Sequence, residues 1–324
     1  MEAGVKILLT GASGFIGGAF LRRFAGRENL QLFAVGRREP ADLPAGVSWR
    51  TLSLADLLQW EISPDVVIHA AGRASPWGSD RDYYRDNVET TEQVRDFCRR
   101  RGFPRLLFLS SAAVYYRFAH CYDLDENTLP AEPFTSAYGR SKFLAEHCVA
   151  AYEGEKTILR PCAVFGPGER LLFPPLLQAA QKQQLWRLRS RGGPAQSDLM
   201  HVDALCDYLL QATLKKELQP CYNLSSAQTV DVDLLMQEVL RTLELPSVSR
   251  TLNLQTALAF AGAMEWVWRR LKLRGEPPIT RFGVAVFGYS ATLNVTRMLN
   301  DFGPPDIPLA QSLQVYLQQE KKQG

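Results

Sequence analysis

The sequence predicts an α/β fold: a doubly wound parallel sheet with a smaller, mainly helical lobe interleaved in the C-terminal half. Three observations carry that expectation. Short apolar, β-branched runs alternate with longer segments of helical period through the first half. A glycine-rich turn follows the first of those runs. After Pro161 the texture breaks into short pieces punctuated by Gly166-Pro167-Gly168, Pro174-Pro175, Gly192-Gly193-Pro194 and Pro277-Pro278. Taken in order, strands are expected at 5–9, 30–35, 47–51, 66–69, 106–110 and 157–159, where Val, Ile and Leu cluster in runs too short for a helix. Helices are expected at 15–25, 82–101 and 136–152, where apolar residues recur at helical spacing. The run Pro220-Cys221-Tyr222-Asn223-Leu224 reads as a strand returning to the sheet. The sheet domain is therefore expected over 1–165, rejoined by 195–226, and the smaller lobe over 166–194 and 227–324.

At 324 residues, against roughly 150 per domain, the chain has length for about two units and a sizeable core. Hydrophobic residues at 46% and charged residues at 22% exclude a disordered, collagen-like or coiled-coil chain. The net charge of +3 is too small to demand nucleic acid or a strongly anionic partner. Six cysteines are scattered without a CxxC pair, so no metal site or disulfide framework is expected and a reducing compartment is implied. The first residues run from an acidic start straight into a strand, with no basic n-region or cleavage site, which points to a cytoplasmic location. No uncharged apolar stretch reaches the roughly 18 residues of a membrane span; the nearest, 256–268, is broken by Glu265.

Thr10-Gly11-Ala12-Ser13-Gly14-Phe15-Ile16-Gly17 closes the first strand and opens the first helix, the context that a dinucleotide-binding loop of the Rossmann kind requires. Gly11 permits the tight turn, Gly14 lets the backbone approach a pyrophosphate, and Gly17 allows close helix–strand packing. Ser13, Phe15 and Ile16 complete the candidate contacts at a helix N-terminus whose unpaired N–H groups favour an anion. An ordinary glycine turn is the competing reading. At the end of the second strand an acidic residue would bind the adenosine ribose diol. Ala34-Val35-Gly36-Arg37-Arg38 has glycine there and two guanidinium groups suited to a 2′-phosphate, which favours NADP over NAD. NAD stays open, because Glu39 or Asp42 could reach a ribose.

Tyr138-Gly139-Arg140-Ser141-Lys142 opens a helix, so Tyr138 and Lys142 share one face at i,i+4. An ammonium one turn from a phenol stabilises phenolate and brings the group toward the range of proton transfer at a carbinol oxygen. Chance placement of Tyr and Lys is the competing reading. It loses weight because Ser110-Ser111-Ala112-Ala113-Val114-Tyr115 leaves the carboxyl end of a strand, where a hydroxyl reaches the same place.

Together with His69-Ala70-Ala71-Gly72, Asn87-Val88-Glu89-Thr90-Thr91, Arg160-Pro161-Cys162-Ala163-Val164-Phe165-Gly166-Pro167-Gly168 and His201-Val202-Asp203-Ala204-Leu205, these segments resemble the extended short-chain dehydrogenase/reductase superfamily, to which NAD-dependent epimerases and dehydratases belong. The resemblance covers most of the chain. It implies that Tyr138 is the general acid/base, that Lys142 holds the nicotinamide ribose and lowers the tyrosine pKa, and that Ser111 polarises the reacting oxygen. It further implies that Ala70, Ala71, Gly72 and Asn87 line the cofactor, that Pro161 and Val164 flank the nicotinamide, and that Leu54 lies near the adenine. It also implies a homodimer through helices 82–101 and 136–152.

Departures narrow the chemistry. Dehydratases of nucleotide sugars carry Thr-Asp-Glu where this chain has Ser111-Ala112-Ala113, which removes the acid/base pair for elimination. Epimerases show Asn and Arg at the places held here by Ala163 and Ser197, and Ser53 replaces an Asp before Leu54. Gly275-Glu276-Pro277-Pro278-Ile279-Thr280-Arg281-Phe282 and Asn294-Val295-Thr296-Arg297-Met298-Leu299-Asn300-Asp301-Phe302-Gly303 resemble the tail of the 3β-hydroxysteroid dehydrogenase branch and its bacterial 3-ketoacyl reductases. That implies a hydrophobic secondary alcohol or ketone with a carboxyl or thioester nearby. Candidate substrate contacts are Ser75, Pro76, Trp77, Ala112 and Phe173, with Leu176, Leu177, Trp186, Phe260, Trp266 and Trp268 as further apolar wall. Segment 257–274 mixes those aromatics with Arg269, Arg270, Lys272 and Arg274, the composition of a membrane-surface helix or of a lid. His69 and His201 are read as folding residues. The expected activity is an NADP-preferring oxidoreductase; the alternatives are a nucleotide-sugar epimerase with tightly held NAD and a non-catalytic NADP-sensing protein.

Overall fold

Alternation along single strands sorts side chains into the two faces of the central sheet. The computed structural model describes residues 4–75, 77–130 and 132–323. It opens with β1 (Val5–Thr10), α1 (Phe15–Phe24), β2 (Leu30–Gly36), β3 (Val47–Thr51), β4 (Val66–His69), α2 (Asp80–Tyr83), α3 (Thr90–Arg100), β5 (Arg105–Leu109), β6 (Cys121–Leu124), α4 (Ala137–Ala150), β7 (Lys156–Pro161) and β8 (Ala163–Phe165). On β1, Ile7 and Leu9 enter one core with Phe20 and Phe24 of α1, whereas Leu8 enters the other with Val94 and Phe97 of α3 and Val149 of α4. On β5, Leu107 and Leu109 join the first core, Leu106 and Phe108 the second. Strands buried on both faces are what a parallel sheet with helices on each side demands.

The chain continues through α5 (Phe173–Gln181), β9 (Arg187–Arg189), β10 (Gln196–His201), α6 (Val202–Leu214), β11 (Cys221–Leu224), β12 (Thr229–Asp231), α7 (Val232–Thr242), β13 (Thr251–Asn253), α8 (Leu254–Arg270), α9 (Arg281–Gly288), β14 (Ala291–Leu293), α10 (Thr296–Phe302) and α11 (Leu309–Gln323). The central sheet has seven parallel strands in the order β11-β7-β5-β4-β1-β2-β3. Strand order reverses between β1 and β4, and ligands of open α/β sheets bind beyond the strand ends at such a switch point.

Two features depart from the sequence expectation. The helix expected over 82–101 is interrupted: α2 passes into a π-helical turn at Tyr84–Glu89 before α3 begins. Single π turns concentrate at functional sites, and this one carries Asn87. The second half also holds more strand than expected. A sheet ordered β12-β10-β14-β6, with β8 against β10, and the pair β13-β9 frame two further cores. Most of these strands have three or four residues, too few for an alternating pattern to show.

Candidate active site

The glycine loop is held open by backbone packing. Gly11 has φ of 71°, and a Cβ there would stand 2.7 Å from the Ala70 carbonyl oxygen, so both the turn and its approach to the loop after β4 require glycine. Ser13 and Gly14 are exposed, while Phe15 and Ile16 pack their side chains on the core and offer only the N–H groups of the first turn of α1. Ala70 and Ala71 lie against Gly11, so the loop after β4 stands beside these N–H groups, which suit a dinucleotide pyrophosphate. Arg37 and Arg38 stand exposed past β2, without an ion-pair partner among the described residues. Asp42 pairs with Arg22 at 3.4 Å. Leu54 is half-buried against the second core.

At the carboxyl end of β5, Ser111 caps a short 3-10 turn by accepting from the Ala113 N–H at 3.2 Å. Gly139 on α4 abuts that turn so closely that a Cβ would lie 2.6 Å from the Ala113 carbonyl oxygen. This contact brings Tyr138 beside Ser111. Burial pushes the phenol above its usual range, and a hydrogen bond with the Ser111 hydroxyl holds part of that rise back. Lys142, one turn on, donates to the Leu109 carbonyl at 2.7 Å. Burial pushes its ammonium down to about 8, against an opposing pull from Glu146. The ammonium is thus held by a backbone carbonyl, and burial and Ser111 set the shift of the phenol. The π turn supplies Asn87, whose amide donates to Ser141 Oγ at 2.7 Å and to the Arg73 carbonyl at 3.1 Å. Its side-chain oxygen accepts from the Arg73 N–H at 2.6 Å.

Ala137, the residue before Tyr138, lines a cleft of about 850 Å³. Residues 134–137 form one wall; Glu265, Trp268, Arg269, Lys272, Glu276 and Arg281 form another; Arg73, Trp77, Asp80 and Asp82 come from the segment after β4. That loop is clasped to the second half, since Ser75 donates to Glu276 and Arg269 stacks on Trp77 at 5.0 Å. Trp268 Nε1 and Thr135 Oγ1 are buried on the cleft wall without a hydrogen-bond partner.

The model of the NAD dependent epimerase/dehydratase family matches residues 7–225. The chain belongs to that family. It is 32% identical to the 2-alkyl-3-oxoalkanoate reductase of Stenotrophomonas maltophilia over 86% of this chain and 88% of that protein. To the decarboxylating sterol-4-alpha-carboxylate 3-dehydrogenase of Schizosaccharomyces pombe it is 33% identical, over 55% of this chain and 56% of that one. Among solved structures, MoeE5 in complex with UDP-glucose and NAD superposes with a TM-score of 0.72 at 22% identity, covering 98% of this chain and 99% of that one, a likeness of fold.

Within this epimerase/dehydratase family fold, several expected contacts lie elsewhere. Phe173 is buried against Phe165 and Tyr316 at 5.8 and 5.4 Å, in a core shared with Leu176 and Leu177, because α5 turns its apolar face inward. Ala112 is likewise buried in the sheet core. Trp186 stacks with Arg250 away from the cleft, and Phe260 and Trp266 point outward on α8; of the expected apolar wall, only Trp268 lines the cleft. Pro76 lies outside the described residues. Pro161 ends β7 opposite Leu224, and Val164 on β8 pairs with Met200. Sequence reading missed Tyr83, which packs near Tyr138 at 6.4 Å, and the stacked pair Tyr116 and Phe282. Isolated aromatics carry no local signal of which pocket they face.

His69 is structural. Its ring bridges Thr10 Oγ1 at 2.7 Å and Thr91 Oγ1 at 3.0 Å, and burial, aided by the Lys142 charge, pushes it down from 6.5 to about 3. The unfolded chain therefore binds the extra proton first as pH falls, so this residue withdraws stability between 6.5 and about 3. His69→Asn should be less stable near neutral pH yet lose less melting temperature than the parent between about pH 7 and pH 5. Parallel melting curves across that range would assign the acid sensitivity to other groups.

Proposed function

We propose that the protein is an NAD(P)-dependent oxidoreductase that reduces a hydrophobic ketone bearing a nearby carboxylate or thioester; the Stenotrophomonas relative is named for a 2-alkyl-3-oxoalkanoate. The observation that carries this reading is Tyr138, a phenol whose pKa burial raises, beside Ser111 and next in the chain to Ala137, which lines a cleft with aromatic, cationic and acidic side chains. The dinucleotide supplies the hydride. Tyr138 gives its proton to the forming alkoxide, Ser111 donates a hydrogen bond to the same oxygen, and Lys142 contacts the cofactor ribose while remaining cationic near neutral pH. Arg269, Lys272 and Arg281, without ion-pair partners among the described residues, face the carboxylate, and Thr135 and Trp268 provide hydrogen bonds. Residues 1–165 with 195–226 hold the cofactor; 166–194 and 227–324 hold the substrate. The groove lined by Tyr84, Arg140 and Leu144 is assigned to a homodimer interface.

The purified protein should consume NADPH faster than NADH with medium- and long-chain 3-oxo acids, their thioesters or 3-ketosteroids. No consumption with any of them, from protein that retains nicotinamide, would move the assignment to an epimerase.

NADP preference rests on Gly36 as well as on Arg37 and Arg38. A Cβ at Gly36 would lie 2.7 Å from the Trp49 ring, so the position that would carry a ribose-binding carboxylate is already filled by indole. Gly36→Asp should weaken NADPH without improving NADH, whereas Gly36→Asp with Trp49→Ala should move the ratio of kcat/KM values toward NADH. A gain of NADH use in the single variant would show that Trp49 is no obstacle.

A further inference from the structure

Helix α8 buries one face and leaves another bare. Leu254, Ala257, Leu258 and Ala261 pack against Val284, Ala285 and Tyr289 in and beside α9. On the opposite side Ala259, Phe260, Ala263 and Trp266 form an exposed stripe at helical spacing, with Phe260 56% and Trp266 66% exposed. The stripe continues past the helix end into Leu271 and Leu273, 64% and 43% exposed. Large exposed apolar residues arranged in a row mark an interaction surface. Arg269, Arg270, Lys272 and Arg274 interleave with the end of this stripe, all exposed and none in an ion pair among the described residues.

We infer that this face of α8 and the turn after it seat the protein on an anionic lipid bilayer, with Phe260, Trp266, Leu271 and Leu273 entering the boundary between headgroups and acyl chains. Charge favours the lipid surface: Arg270 and Arg274, outside the cleft and without ion-pair partners among the described residues, flank the apolar stripe, and anionic headgroups neutralise them. The indole of Trp266 suits the boundary, where its ring is apolar and its N–H wet. No helix among the described residues is long and apolar enough to cross a membrane, so the helix lies on the surface.

Position gives the contact a use. Arg269, Lys272 and Gly275 line the cleft that Ala137, next in the chain to Tyr138, also lines, so docking through α8 sets the cleft mouth at the bilayer boundary. On the reductase reading, a long-chain ketone dissolved in the bilayer then reaches Tyr138 without crossing bulk water. Only this delivery route depends on that reading; the docking does not.

The test is co-sedimentation of the full chain with phosphatidylcholine vesicles prepared with and without phosphatidylglycerol, at low and high salt. Binding should require phosphatidylglycerol and weaken with salt. Phe260→Ser with Trp266→Ser should abolish it at unchanged melting temperature. Arg270→Gln with Arg274→Gln, neither lining the cleft, should weaken it by about 25-fold, near fivefold per cation. The NADPH turnover of a short, water-soluble substrate should not change in the Phe260/Trp266 variant, which separates a failure of docking from a failure of the catalytic reading. Equal sedimentation of parent and variants, or no binding to anionic vesicles at low salt, would overturn the proposal. A dimer by light scattering that the Phe260/Trp266 variant loses would overturn it in favour of a second copy.

Discussion

Tyr138→Phe should lower the turnover number by roughly 10³-fold, within the range for loss of a positioned acid, while the affinity for NADPH stays unchanged. The ring packs at the start of α4, where Gly139 sets the helix against the turn after Ser111, and phenylalanine keeps that packing. Only the hydroxyl goes. Burial raises the pKa of a phenol that is protonated at neutral pH already, so Tyr138 carries the proton that a forming alkoxide takes. Initial rates against ketone give the first quantity and fluorescence titration of NADPH the second. Undiminished turnover would remove Tyr138 from the proton transfer. A loss of NADPH affinity alone would make it a binding residue.

The largest effect on stability should come from a buried pair behind the site. Arg160 meets Glu146 through two hydrogen bonds, Nε at 2.8 Å and the guanidinium terminus at 2.5 Å, with side chains 9% and 5% exposed. Glu146 also accepts from Ser110 at 2.5 Å, and Arg160 donates to Tyr115, whose hydroxyl donates to Asn223 at 3.0 Å. Burial works against the Arg160 charge, and the bond and charge of Glu146 override it. Arg160→Met leaves the carboxylate buried and unpaired and should cost about 3–5 kcal/mol. That is a fall in melting temperature of roughly 5–10 °C. Arg160→Met with Glu146→Leu should recover most of it, because no charge then lies buried alone. A fall in the double variant as large as in the single one would mean that packing, not charge, sets the loss.

The same carboxylate reaches the site through Lys142, one helical turn before it. Glu146 opposes the downward push of burial on the ammonium. Glu146→Gln should therefore move the alkaline limb of the pH–rate profile to lower pH, an effect that lost packing alone would not produce.

Much of this was legible along the chain because it is local. The glycine loop lies within eight consecutive residues between a strand and a helix, and Tyr138 with Lys142 sits within one helical turn. Short apolar runs between helical segments were enough to place the strands of the central sheet, and the break in that pattern after Pro161 marked where the texture changes. The π turn that carries Asn87 was not legible, since its sequence has the same apolar spacing as an ordinary helix.

By itself, then, the sequence determined the fold class, the glycine loop and the spacing of Tyr138 and Lys142, all of which depend on backbone geometry over a few neighbouring positions. Only the tertiary structure decided which aromatic residues serve the cleft. Phe173 went to the core, Trp268 to the cleft wall and Trp266 to solvent, although Trp266 and Trp268 are two residues apart on one helix. It also decided that Trp49 covers Gly36, that Arg160 closes on Glu146, and that Glu276 reaches back across 201 residues to Ser75. Those partners meet because whole elements pack. A side chain's environment is set by what lies across the interface, and nothing in its own neighbourhood encodes that.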